Sequence, residues 1–193
     1  MQDSVSQSND LLLLPEFERL PDPTGPAVAA HAVYGGPLLG PGLIERFDAY
    51  RKKSLVQRTS LFLNAREGQM NEKDHAEDKG EALGEVVVFV AVVGSRLTGH
   101  EGVVHGGIVS LLFDEACGWG CIAATGENVL TVTGNLSVNF RKPLRARERC
   151  VLRVFHEGTE RRKVSLRARL ENVSGDEIYA DATCTYIMLR SRL

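Results

Sequence analysis

Two adjacent acids, Asp114 and Glu115, stand in an otherwise oily stretch made of Ile108, Val109, Leu111, Leu112, Phe113, Ala116, Cys117 and Trp119. A carboxylate in such surroundings is costly unless a partner or a reaction uses its charge. On a helical wheel at about 100° per residue, Asp114 falls on a stripe with Gly107, Ser110 and Gly118, whereas Glu115 lies beside Ile108, Leu111 and Trp119. Small residues beside an acid let a ligand or a second backbone come close, so Asp114 is the candidate for chemistry. Simple pairing with a basic neighbour is the plain alternative for it.

The stretch is preceded by His105-Gly106-Gly107. Two glycines at the start of a helix leave backbone N–H groups pointing outward, an arrangement that suits an anion or a carbonyl oxygen acquiring negative charge. Glycine punctuation before a helix, with His105 as a hydrogen-bonded structural residue, is the other reading. Gly106 and Asp114 are eight positions apart, about 12 Å along a helix, so one chain cannot bring both to one reacting carbon. If both act together they come from different chains, which implies a dimer with two such helices side by side.

The elements that must hold these residues follow from pattern. The chain has 193 residues, 43% hydrophobic and 25% charged, with a formal net charge of -2. That composition is ordinary for one globular domain and gives no sign of a nucleic-acid surface. Cys117, Cys121, Cys150 and Cys184 include no CxxC pair, so neither a zinc site nor a redox motif is indicated and a reduced, cytoplasmic chain is expected. Neither a signal peptide nor a membrane-spanning run of roughly 20 apolar residues is read from the sequence.

Residues 1–81 read as an N-terminal arm. Pro15, Pro21, Pro23, Pro26, Pro37 and Pro41 deny it a long helix, Leu43, Ile44, Phe47 and Tyr50 suggest one short amphipathic helix, and residues 66–81 form a polar stretch expected to be a mobile loop. Residues 82–193 read as the compact domain. A β-branched run at 86–93 opens it, a helix at about 106–124 follows, and strands near 129–140, 148–156, 161–173 and 177–190 complete it. In the first of these strands Leu130, Val132, Leu136, Val138 and Phe140 share one face, while Thr131, Thr133, Asn135, Ser137 and Asn139 share the other. An antiparallel sheet with one apolar face needs a cover, and the single long apolar helix supplies it.

The string His105-Gly106-Gly107-Ile108-Val109-Ser110-Leu111-Leu112-Phe113-Asp114, then Gly118, then Asn135-Leu136-Ser137-Val138-Asn139-Phe140-Arg141-Lys142-Pro143, resembles the hotdog-fold thioesterase superfamily. Within it the match is to the branch of phenylacetic-acid-pathway and type-4 superfamily-member thioesterases, over about residues 82–190. The resemblance implies an α+β hotdog fold, an antiparallel sheet wrapped around one long helix, here with an N-terminal extension. It further implies hydrolysis of an acyl-CoA, homodimers that pair into tetramers, and neither a metal nor a redox cofactor.

Carried over by position, the resemblance makes Gly106 the backbone donor to the thioester oxygen and Asp114 of the opposite subunit the base or nucleophile. Thr133 would orient water, with His105 at the turn. Gly107 and Asn135 would line the substrate groove, and Arg141 and Lys142 are candidates for the coenzyme A phosphates, with Arg161, Arg162 and Lys163 as further basic residues. Relatives commonly place an Asn six residues before the histidine. Here Gly99 stands there, with His100 and Thr98 beside it as candidates for its role. A non-hydrolytic acyl-thioester binder, or another reaction in the same groove, is the alternative function.

Overall fold

The computed structural model describes residues 16–19, 38–54, 79–80, 82–126 and 130–189. The β-branched run predicted at 86–93 forms strand β4, Gly84–Val93, and it is buried on both faces. Phe89, Ala91 and Val93 join the main core, whereas Val88 and Val90 point to the back of the sheet against Phe17, Tyr50 and Val151. Alternation along one strand thus feeds two separate apolar clusters.

Before it come β1, Phe17–Arg19; β2, Ile44–Lys52; and β3, Lys79–Gly80. A 3-10 turn at Ser95–Leu97 leads into a small hairpin of β5, Thr98–His100, and β6, Val103–Val104. The helix α1, Gly106–Thr125, follows, and then four long strands: β7, Thr131–Phe140; β8, Arg149–Glu160; β9, Lys163–Asn172; and β10, Ile178–Met188. The main sheet runs β1-β2-β4-β8-β9-β10-β7, with β3 beside β8. Every pairing in it is antiparallel. Its inner face wraps around α1, which buries Val109, Leu112, Phe113, Ala116, Cys117 and Cys121 against it. This is the sheet around one helix expected from the pattern, and the α+β hotdog architecture that the resemblance implies. By length and composition α1 could cross a membrane. Here its apolar side chains are those of the helix at the centre of the core.

Two local expectations are corrected. The segment around Leu43 to Tyr50 is strand β2 rather than a helix, and a β-bulge between Ile44 and Arg46 explains the misreading. The extra residue puts Ile44 and Phe47, three apart, on the same inner face, while Tyr50 belongs to the cluster on the back of the sheet. A spacing of three followed by three mimics a helix although two faces are being filled. β1 and β2 pair into the same sheet as the strands after residue 82. The polar stretch at 66–81 lies outside the described residues except for 79–80, as does most of the proline-rich segment.

The second correction concerns β7, whose clean alternation is broken. In its pairing with β10, Asn135 sits opposite Thr185 and Thr133 opposite Tyr186, so Gly134 is the extra residue of a bulge. Leu136 pairs with Cys184 and faces the helix; beyond the bulge Thr133 faces it too, and Val132 turns outward.

Candidate functional site

His105 is the N-cap of α1. Its ring Nδ1 accepts the Gly107 N–H at 2.9 Å, which leaves the proton of a neutral imidazole on Nε2. The His105 carbonyl accepts from Ile108 N–H at 2.9 Å and Val109 N–H at 3.2 Å, and its own N–H donates to Leu97 carbonyl at 2.9 Å. One residue therefore fixes the entry of the helix from both sides. Because His105 consumes the Gly107 amide, Gly106 is the glycine whose N–H meets no acceptor among the described residues. The ring of Phe140 stands beside it, 3.4 Å from where a Cβ would lie.

Gly99 packs against the same histidine. A Cβ there would come within 2.9 Å of the His105 ring, so a side chain at this position would displace the cap. The Thr98 hydroxyl donates to the Ser95 carbonyl at 3.1 Å and is engaged in its own turn. His100 is exposed at the end of β5, paired through its backbone with Val103.

Two turns along α1, Asp114 is half-buried and turned toward the β10-β7 end of the sheet. Its Oδ1 accepts the Thr133 hydroxyl at 2.8 Å and the Tyr186 hydroxyl at 3.0 Å. The Tyr186 hydroxyl also lies 2.6 Å from the Asp114 backbone carbonyl. Gly118, one turn further, makes this reach possible, since a Cβ there would already touch the tyrosine hydroxyl at 3.6 Å. Burial pushes the Tyr186 hydroxyl well above the usual tyrosine pKa, and the Asp114 charge adds to that, so it is a donor. Glu115, on the neighbouring stripe, is pushed up to about 7 by burial first and by Asp114 second.

The structure therefore joins Asp114 with Thr133 and joins His105 with Gly107 and Gly99. Gly106 and Asp114 remain two turns apart on one helix, as their spacing requires. Asn135, on the other side of the bulge, pairs beside Thr185 on the outer face, away from Asp114. Arg141 and Lys142 are exposed at the end of β7, and each already holds an acid: Arg141 Nε lies 2.5 Å from Asp181 and Lys142 Nζ 3.0 Å from Glu177. Arg161 and Arg162 form the exposed turn between β8 and β9, with Lys163 opening β9. Among the described residues no cluster of His, Cys, Asp and Glu could hold a metal ion. Tyr186 is the site residue that sequence reasoning missed. Its signal was the run Ala180, Ala182, Cys184, Tyr186, one face of the last strand, whose polar tip had to find a partner in the core.

Comparison with known proteins agrees with this fold. The Thioesterase superfamily family profile matches residues 101–179, the segment from the β5-β6 turn to the start of β10. The acyl-coenzyme A thioesterase THEM4 of Bos taurus is 31% identical over 96 residues, covering 50% of this chain and 38% of its own length. The protein of the same name from Mus musculus is 28% identical over 96 residues, covering 50% of this chain and 40% of its own length. The chain thus spans well under half of these relatives. Among solved structures, a hypothetical thioesterase with coenzyme A from Streptococcus pneumoniae superposes with a TM-score of 0.50 at 21% identity, over 61% of this chain and 88% of that one. A thioesterase family protein from Silicibacter pomeroyi gives 0.50 at 23% identity, over 71% and 99%. These likenesses establish the hotdog fold.

Proposed function

We propose that the chain, whose residues 101–179 match the Thioesterase superfamily profile, hydrolyses the thioester of an acyl-CoA, as a homodimer whose sites each draw on both subunits. The acyl carbonyl accepts a hydrogen bond from Gly106 N–H of one subunit, while Asp114 of the other either takes a proton from the water that adds to the carbonyl or attacks the carbonyl itself, giving an anhydride that water then hydrolyses. Thr133 sets the carboxylate and the water. Negative charge developing on the carbonyl oxygen is met by an amide already aimed outward at the helix start, and collapse of the tetrahedral species expels the coenzyme A thiolate, which takes up the proton. The observation that carries this reading is the Asp114 carboxylate on the half-open flank of α1, held by the Thr133 hydroxyl at 2.8 Å.

The edge strand β7 supports the dimer. It pairs on one side only among the described residues, and it carries Val132 at 43% exposure and Phe140 at 57%, with Leu130 just before it at 57%. Such an edge invites a second strand. Paired antiparallel with its own copy about a two-fold axis near mid-strand, the Thr133 end of one subunit would meet the Phe140 end of the other, bringing Asp114 toward the partner's Gly106. A dimer of such dimers, in a reducing compartment such as the cytoplasm, completes the proposal.

Asp114→Asn is expected to lower thiol release from acyl-CoAs by about a thousandfold or more while the dimer persists in sedimentation. Near-normal release would reject the role. A second reading, a non-hydrolytic acyl-thioester binder, is favoured by Gly99, which brings no side chain to hold water. Saturable acyl-CoA binding without thiol release from short, medium, long and aromatic substrates would select it.

A further inference from the structure

The Asp114 carboxylate is held by more than the strand beside it. Oδ1 receives two hydroxyls, Thr133 from β7 at 2.8 Å and Tyr186 from β10 at 3.0 Å, and these two residues are cross-strand partners immediately next to the Gly134 bulge. No described residue donates to Oδ2. The Tyr186 hydroxyl also lies 2.6 Å from the Asp114 backbone carbonyl, so its single proton is shared between the residue's main chain and its side chain.

We propose that Tyr186 is a positioning residue for Asp114, fixing Oδ1 toward the sheet so that Oδ2 is the oxygen presented to the substrate groove. The inference rests on the reading of Asp114 given under Proposed function. Physically, two donors converging on one oxygen select one rotamer of a short side chain and fix the plane of its carboxylate. A carboxylate that must meet water or a carbonyl carbon within a few tenths of an ångström gains from being held before substrate arrives. Tyrosine suits the task. Its rigid ring spans from the strand across the gap that Gly118 leaves, and its buried hydroxyl has no tendency to ionise against the acid it serves.

The test is Tyr186→Phe, which deletes one oxygen and keeps the ring over Gly118. Thiol release should fall in kcat by about tenfold, the effect of one hydrogen bond to a charged group when Thr133 still holds the other, with KM nearly unchanged. In the Asp114→Asn background the same substitution should cost nothing further, because the charge it positions is gone. The carboxyl-carbon chemical shift of Asp114 at neutral pH should move in Tyr186→Phe relative to the native chain, because Oδ1 loses one of its two donors. Native kcat together with a native chemical shift would overturn the proposal, and so would an equal kcat loss in both backgrounds, which marks a purely structural tyrosine. A native chain that releases no thiol, or releases it as well as Asp114→Asn does, removes the hydrolytic reading instead. In that case the resonance still decides whether Tyr186 holds the carboxylate.

Discussion

Glu115 carries the same carboxyl as its neighbour Asp114, yet the fold gives the two different surroundings. Asp114 is turned to two hydroxyl donors; Glu115 lies on the flank with Ile108, Leu111 and Trp119, where burial and the adjacent charge push its pKa from 4.5 up to about 7. Between those two values the folded chain keeps a proton that the unfolded chain releases, so this residue's contribution to stability declines as pH rises through the window. Glu115→Gln should therefore flatten the pH dependence of the melting temperature between about pH 5 and 7, raising it by a few degrees at the upper end. Parallel melting curves for the two proteins across that range would refute the assignment. The wheel distinguished the two acids from sequence alone because helical geometry fixes which side chains share a stripe. It could not supply Tyr186, since that contact joins residues 72 positions apart and depends on which strand ends up beside β7.

At the scale of elements, what escaped the sequence was twice a bulge. The existence, order and approximate limits of the long strands from residue 84 onward were legible, though not the short β5-β6 hairpin, because β-branched runs and turn residues act locally and the long apolar helix had no other place than the sheet's inner face. A bulge adds one residue and reverses the parity of everything beyond it, and nothing in Ile44 to Arg46 or in Thr133 to Asn135 announces it except the single Gly134. Reading β7 as a regular strand gave Thr133 the same face as Asn135; the bulge turns it to Asp114 instead. Gly134 has little room, as a Cβ there would lie 3.1 Å from Ile187 and 3.4 Å from the Thr185 carbonyl. Gly134→Val should favour the regular ladder, rotate Thr133 outward and cut thiol release by about tenfold or more, the loss expected when a carboxylate forfeits a directed donor. Deleting Gly134 should do less harm. Removing the extra residue leaves Thr133 next to Asn135 and so still on the helix face. A deletion variant that loses as much as Gly134→Val would show that the bulge matters for something other than parity.

For the whole molecule the decisive quantity is the two-turn separation of Gly106 and Asp114, which no local adjustment of one protomer removes. The proposed dimer resolves it, and subunit mixing tests it directly. Gly106→Pro is the matched lesion for the amide. Gly106 is the first helical residue, a position where proline is tolerated, and His105 already has φ -63 and ψ 134, the conformation a residue before proline prefers. The substitution deletes the N–H while leaving the helix start intact, needing only a small shift of the exposed Phe140 ring, 3.4 Å from the new Cβ. Gly106→Pro and Asp114→Asn should each be nearly inactive alone. Unfolded together in equal amounts and refolded, half of the dimers carry one lesion on each chain. In every such dimer one site inherits both lesions, and the other inherits a native amide from one chain and a native carboxylate from its partner. Activity should therefore recover to about a quarter of native by simple two-fold statistics. Recovery requires the amide and the acid to act across the subunit boundary. A mixture as inactive as its parents, with heterodimers demonstrated by mass, would end the shared-site proposal.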